Sequence, residues 1–260
     1  MGRDLVSARS FLFVPGDRPE RFDKAAASGA DVVVIDLEDA VAPEDKPAAR
    51  ENARQWLAAG GQAVVRVNAL GTEWHDDDLA AARGARAVMV PKAERDLPAG
   101  VPVIALVETA RGVRDVDAVC AAPGVVRLAF GSVDLATQLG VDHRDHDALR
   151  HARSTLVLAA AAAGLPGPVD GATTDLRSAE VLDADLRHAA ALGFTAKLCV
   201  HPNQVAAVNT GLAPSAEELA WARGLLAAVA DGAVARYDGQ MVDRPVLERA
   251  RALLARAGAP

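Results

Sequence analysis

Two carboxylates, one arginine and a set of residues at the ends of apolar runs carry the chemistry legible in this sequence. Glu108 directly follows the apolar run 103–107. Asp134 lies in Gly131-Ser132-Val133-Asp134, the segment into which the next run, 126–130, opens. On neighbouring parallel strands these two carboxylates stand at the same end of a sheet. Two carboxylates completed by substrate oxygens and water are a usual arrangement for magnesium. No Cys/His cluster competes at these positions, which argues against zinc. Arg66, in the run 63–67, is a short reach away, and its planar fork suits a substrate carboxylate bidentately. A metal with an arginine is what a 2-oxo acid or an enolate requires. The metal takes the oxygen where negative charge develops, and the arginine holds the carboxylate. The alternative for Glu108 and Asp134 is a pair of strand-end carboxylates that accept backbone N–H bonds.

These side chains need a scaffold that brings strand ends together. Eight short β-rich runs alternate with longer amphipathic ones: 11–14, 32–36, 63–67, 87–90, 103–107, 126–130, a weak run at 168–171, and 196–200. Most are continuously apolar, as strands buried on both faces are. Helical spacing is clearest at 19–28, 44–59, 144–163 and 175–192. Pro47 suits the first turn of the second of these. Segment 94–100 is too short and too broken by proline for a full helix. The alternation predicts an α/β fold, a (β/α)8 TIM barrel, with a doubly wound sheet as the runner-up. No GxGxxG turn or Walker A loop supports the latter. In such a barrel the active site lies at the C-terminal strand ends. Polar residues recur there: Asp17 after Pro15-Gly16, Asp36 to Asp39, Arg66 and Asn68, Lys92, Glu108, the segment from Gly131 to Asp134, and His201. Pro15, Gly16, Asp39, Gly131 and Ser132 are accordingly expected to line a substrate pocket. Helical runs at 215–230 and 244–257 follow the eighth strand. Residues 1–260 are thus read as one barrel domain with a C-terminal helical extension from about residue 212, expected to pack on a neighbouring subunit.

Composition excludes other classes. The chain has 260 residues, 28 basic and 35 acidic, a formal charge of −7, and 51% apolar residues. That balance argues against a nucleic-acid binder, which needs a basic stripe. No apolar run approaches a membrane span, and nothing near the N-terminus reads as a signal peptide. Cys120 and Cys199 are too few for a disulfide framework. A cytoplasmic setting without nucleic-acid or membrane partners is expected. Only four lysines occur, at 24, 46, 92 and 197. A Schiff-base aldolase, which needs a desolvated lysine with a lowered pKa, could draw only on Lys92 or Lys197. The stretch from Asp142 to Asp147 resembles a metal cluster by composition but reads as a polar loop leading into a helix.

Ordered motifs along the chain resemble the citrate lyase β-subunit-like family, within the HpcH/HpaI aldolase/citrate lyase group. They are the opening from Phe11-Leu12-Phe13-Val14-Pro15-Gly16-Asp17-Arg18-Pro19, Asp36-Leu37-Glu38-Asp39-Ala40-Val41, Arg66-Val67-Asn68, Pro91-Lys92-Ala93-Glu94 and Leu106-Val107-Glu108-Thr109. His201-Pro202-Asn203-Gln204-Val205 and Gly239-Gln240-Met241-Val242-Asp243 complete the series. The resemblance implies a barrel of the phosphoenolpyruvate/pyruvate superfamily that assembles as a homo-oligomer, often a trimer. It implies a magnesium-dependent lyase that cleaves or forms carbon–carbon bonds in 3-hydroxy acyl-CoA thioesters such as citryl-, malyl- or citramalyl-CoA. Glu108 and Asp134 fall on the family's metal ligands, and Arg66 falls on its substrate-carboxylate arginine. Asp243 falls on a carboxylate supplied to the neighbouring subunit's site for acid/base work. Lys46 and Arg50 resemble positions near the CoA end. Where many members carry a glutamate, this chain has Val133. Two variants are implied as alternatives: a thioesterase, and a subunit that takes its thioester from an acyl-carrier protein.

Overall fold

The computed structural model describes residues 4–230 and 236–257, with Ala230 and Gln240 described by backbone alone. Residues 1–3 and 258–260, the two ends of the expected domain, lie outside the described residues. Packing divides the chain into two units, Met1–Gly211 and Leu212–Pro260.

The first unit is a closed eight-stranded barrel in sequential order: β1 Ser10–Pro15, β2 Val32–Asp36, β3 Val64–Arg66, β4 Ala87–Val90, β5 Val103–Val107, β6 Val125–Phe130, β7 Val169–Asp170 and β8 Ala196–Cys199. All eight pairings are parallel, and β8 closes on β1. The (β/α)8 TIM barrel expected from the alternation is the observed fold. The helices of this unit are α1 Phe22–Ala26, α2 Lys46–Ala58, α3 His75–Ala81, α4 Ala110–Arg114, α5 Val116–Ala121, α6 Ser132–Leu139, α7 Arg150–Ala162, α8 Ala179–Leu192 and α9 Val205–Gly211. No helix joins β4 to β5, in keeping with the proline-broken segment there. Pro47 sits in the first turn of α2, where its missing N–H costs nothing. Helix α7 starts six residues later than the apolar spacing suggests. Asp142 and Asp145 accept nearby backbone amides and hold the preceding stretch as turns.

Strand periodicity decides what reaches the barrel mouth. Phe11, Val32, Val34, Val64, Met89, Ile104, Leu106, Ala129, Val169, Ala196 and Leu198 form the barrel interior. Side chains alternate along a strand, so residues two positions beyond these share their face. Those positions are Asp36 after Val34, Arg66 after Val64, Glu108 after Leu106, and Gly131 after Ala129. The out-of-phase residues Asp170 and Lys197 turn toward the helix layer, where the Lys197 ammonium donates to Asp170 at 2.9 Å. Cys199, also out of phase, is a core residue whose thiol burial pushes up to about 12.

At the opposite end, Arg127 closes the barrel floor. Its side chain is fully buried and donates to the carbonyls of Leu5, Ala8 and Gly167 and to the Thr195 hydroxyl, at 2.8–3.0 Å. Its guanidinium stacks over Phe11 at 5.4 Å. A charge inside a strand that otherwise reads as apolar is tolerated because every edge of it finds an acceptor.

In the second unit, α10 Ala216–Ala230 and α11 Arg244–Ala257 flank a short antiparallel ribbon of β9 Arg236–Tyr237 and β10 Gln240–Met241. Ala222, Leu225, Ala250 and Leu253 form its core. Among the described residues, no helix is long and apolar enough to cross a membrane.

Replacing Arg127 by Met keeps the bulk but strands several buried acceptors. We expect a loss of about 3 kcal/mol or more in a urea unfolding series.

Candidate active site

The C-terminal mouth of the barrel holds a cavity of about 390 Å³. Pro15, Asp39, Arg66, Glu108, Gly131, Ser132 and Asp134 all line it, together with Phe13, Asp36 and Val133. Seven of the residues singled out from sequence therefore meet in one space. Gly16 stands behind it. A Cβ there would come within 2.7 Å of Leu37 Cδ2 and 2.9 Å of the Asp36 carbonyl, so glycine lets the first loop lie against the second.

Arg66 is locked before any ligand arrives. Its Nε and Nη2 donate to the two oxygens of Asp36 at 2.8 and 2.6 Å. Nη1 lies 3.0 Å from Glu38 and 3.5 Å from Asp39, and the guanidinium stacks over Phe13 at 4.8 Å. Burial would lower the Arg66 pKa, but these carboxylates outweigh it and hold the group firmly charged. The side-on fork expected for substrate is thus taken by Asp36. A substrate carboxylate is left the end-on edge, where Asp39, 59% exposed, is the weakest competitor.

Glu38 is buried and joins the two cations of the site. It accepts from Lys92 Nζ at 2.7 Å, while its other oxygen approaches Arg66 without the alignment of a hydrogen bond. Burial pushes the Glu38 carboxyl up, against the pull of Arg66 and Lys92. Lys92 adopts the left-handed region, φ 49°. That turn points its backbone N–H at Glu108, 2.9 Å away, while its ammonium reaches Glu38. Burial alone would lower the Lys92 pKa, but Glu38 and Glu108 raise it on balance. Lys197 is 1% exposed and ion-paired with Asp170. Neither lysine has the environment of a Schiff-base nucleophile.

Glu108 is the least compensated acid. Burial first, then the nearby Asp134 and Glu38, push its carboxyl up to about 8. Its nearest cation, Lys92 Nζ, is 3.9 Å away. Among the described residues, no cation pairs with Asp134. Two converging carboxylates that repel one another are prepared for a cation. Among the described residues no group of three or more His, Cys, Asp or Glu could hold a metal. The donor set therefore suits a hard ion that takes two carboxylates and fills its shell with substrate and water, which is the habit of magnesium. Gly131 makes the approach feasible. A Cβ there would collide with the Glu108 carboxylate and with its Cβ, and would stand 3.1 Å from its Cδ.

Lys46 and Arg50 are not among the residues that line this cavity. Lys46 is buried, and its ammonium donates to the carbonyls of Leu37 and Glu38 at 2.9 and 2.8 Å. Arg50 binds Asp78 at 2.9 Å and Asp77 at 3.2 Å. These two cations clamp the β2 loop and α3: Arg50 is paired with carboxylates, while Lys46 meets neutral carbonyls and burial lowers its pKa. Asp243 belongs to the second unit, where it caps α11 by accepting the Val246 amide at 3.2 Å. His201 and Gln204 are also structural. His201 Nδ1 accepts the Asn203 amide, and Gln204 links Val200 to the Thr173 carbonyl. Asp36 and Glu38 lie within the quoted motifs without an assigned role, and Lys92 carries only the Schiff-base alternative. The signal for Asp36 is a charge two residues past the inward Val34; Glu38 and Lys92 lie in the loops beyond their strands, where strand parity gives no signal.

The sequence profile of HpcH/HpaI aldolase/citrate lyase matches residues 9–99 and 93–202. A citrate lyase subunit beta-like protein of Mycobacterium tuberculosis is 45% identical over 262 residues, covering 95% of each chain. A (3S)-malyl-CoA thioesterase of Cereibacter sphaeroides is 34% identical, over 96% of this chain and 95% of its own. The crystal structure of protein CitE from M. tuberculosis, in complex with magnesium, acetoacetate and coenzyme A, superposes with a TM-score of 0.84 at 44% identity, over 98% of this chain and all of that one.

Two outcomes follow for the carboxylate pair. With Glu108 poised near 8, a metal must displace its proton at neutral pH. Magnesium affinity, read by calorimetry, should rise about tenfold per pH unit below 8 and level off above it, with a proton released on binding. Glu108→Gln should abolish that slope. Gly131→Ala drives a methyl into Glu108, including a Cβ that side-chain rotation cannot move. Magnesium affinity should fall about 10–100-fold, and the clash with the fixed Cβ should lower the unfolding midpoint as well.

Proposed function

Because this chain belongs to the HpcH/HpaI aldolase/citrate lyase family, we propose that it is a magnesium-dependent carbon–carbon lyase. Its substrate would be a 3-hydroxy acyl-CoA such as citryl-, malyl- or citramalyl-CoA, split into a 2-oxo acid and an acyl-CoA. The observation that carries this reading is the uncompensated pair Glu108 and Asp134 facing a preset Arg66 across one cavity. Bound by that pair, magnesium would supply a Lewis acid for the oxygen on which negative charge develops. Arg66, held by Asp36, orients the carboxylate of the 2-oxo acid half through its end-on edge. The Ser132 hydroxyl, on the cavity wall, is available to a second substrate oxygen. Phe13, Phe130 and Leu198 make the remaining wall apolar and limit water around the breaking bond.

Besides Lys46 and Arg50, which the resemblance puts near the CoA end, the thioester arm has other cations to draw on. A second cavity, of about 440 Å³, shares Phe13, Pro15 and Val200 with the first and is lined by Arg21 and Lys24. We assign the CoA phosphates to these two side chains. A base takes the 3-hydroxyl proton as the carbon–carbon bond breaks, and the hydroxyl carbon becomes the 2-oxo carbonyl. The bond's electron pair leaves as an enolate of the acyl-CoA that needs a proton. Asp243 of a neighbouring subunit in a homo-oligomer is the proposed acid. The same geometry in reverse is a condensation.

The likeness to a malyl-CoA thioesterase supports a second reading, hydrolysis of the thioester at the same site. One experiment separates them. Purified protein is incubated with malyl-CoA and citramalyl-CoA, with magnesium or EDTA, and products are resolved chromatographically. Acetyl-CoA with glyoxylate or pyruvate identifies cleavage, and free CoA with the intact hydroxy acid identifies hydrolysis. Silence with both, in protein that binds magnesium and a 2-oxo acid, redirects the assay to acyl-carrier-protein thioesters. Asp243→Asn should lower turnover about 10²–10⁴-fold and leave magnesium and 2-oxo acid binding unchanged. Asn caps helices as well as Asp does, so folding should survive the change.

A further inference from the structure

A separate cavity of about 270 Å³ lies beside the central one, and Ser132 and Ala172 line both. Arg153 of α7 forms part of its wall, with a side chain 6% exposed. Its Nε donates to Asp170 at 2.9 Å, and its guanidinium lies over the Phe130 ring at 5.0 Å. Nη1 is buried and, among the described residues, has no acceptor. A charged donor left without a partner in a dry layer is costly unless something brings one. Asp170 cannot turn to it, because its second oxygen takes the Lys197 ammonium at 2.9 Å. The acids on the cavity wall are engaged as well. Asp185 accepts from Thr173 and pairs with His146, and Asp175 accepts the amides of Arg177 and Ser178. On the mouth side His143 is partly exposed and bonds Thr174 through Nε2 at 2.9 Å. The Ser132 hydroxyl, buried between the two cavities, has no partner among the described residues.

We propose that this cavity is a carboxylate subsite, with Arg153, His143 and Ser132 as its donors. The wall it shares with the central cavity is two small side chains, so a substrate arm passing Ser132 brings its distal carboxylate to Arg153. That makes the cavity a device for choosing dicarboxylic over monocarboxylic 2-oxo acids. The inference rests on the reading of the central cavity as a magnesium and 2-oxo acid site. The carboxylate has two sources, the substrate's own far end or a free acid bound alongside.

The test uses the full chain with magnesium and calorimetric titration of pyruvate, oxaloacetate and malonate. Arg153→Lys and His143→Ala should each weaken oxaloacetate about tenfold and leave pyruvate and magnesium binding unchanged. His143→Ala, on a turn at the surface, keeps the test informative if Arg153→Lys fails to fold. Malonate that competes with oxaloacetate and not with pyruvate assigns the carboxylate to the substrate. Malonate that binds alongside saturating oxaloacetate, and loses affinity with either substitution, assigns it to a free acid. Normal affinity of both variants for all three acids overturns the subsite. Failure of the unaltered protein to bind magnesium and pyruvate instead overturns the central reading. Malonate binding lost in both variants would then still support the subsite.

Discussion

Buried negative charge at one end of the barrel is the constraint on which the rest of the site depends. Asp36, Glu38, Asp39, Glu108 and Asp134 crowd one mouth, where Arg66 and Lys92 are the cations in ion-pair reach of them among the described residues. Charges this close and this poorly solvated cannot coexist without order. The order observed is a division of labour. Asp36 fixes Arg66, Glu38 ties Arg66 to Lys92, and Glu108 and Asp134 are left over. That excess of negative charge beside a fixed arginine is the arrangement on which the proposed magnesium and carboxylate site rests.

Backbone details serve the same arrangement. Lys92 tolerates a left-handed conformation that costs a lysine about 1 kcal/mol or more, because its amide then steadies Glu108 while its ammonium steadies Glu38. Gly131 withholds a side chain where Glu108 must lie, and Gly16 lets the first and second loops touch. Lys46 and Arg50, both on α2, fasten the β2 loop and α3. Asn68 does the same for the β3 exit, with its side chain between the Leu37 carbonyl and Asp78. Motifs that resemble a ligand-binding signature are thus partly a loop-fastening signature.

The helix layer adds a second kind of buried charge. Asp170 and Lys197, out of phase with the barrel interior, meet Arg153 of α7 between strands and helices. Asp170 answers both cations with one oxygen each, which leaves Arg153 with donors to spare. Strand parity therefore sorts ionisable residues into two compartments. Inward ones line the mouth, as Arg66 and Glu108 do, or close the floor, as Arg127 does. Outward ones either lock helices onto strands or line the smaller cavity at the rim.

Much of this was legible in the chain. Continuous apolar runs recurring with amphipathic ones determined a parallel α/β sheet, because such strands are buried on both faces, and eight of them without a GxGxxG turn favoured the barrel over the doubly wound sheet. The positions of Arg66, Glu108 and Asp134 at strand ends determined that they would converge, because every C-terminal strand end of a closed parallel barrel faces one space. Local sequence did not decide how charges pair across that space. Asp36 on β2 takes the arginine of β3, Glu38 takes the lysine after β4, and Lys46 turns to carbonyls rather than to solvent. Nor did it place an arginine inside the floor through β6, where four partners distant in sequence accept it. Apolar periodicity acts through neighbours a few residues apart and is written along the chain. Hydrogen bonds and ion pairs depend on distances of about 3 Å between residues tens of positions apart, and only the closed barrel sets those.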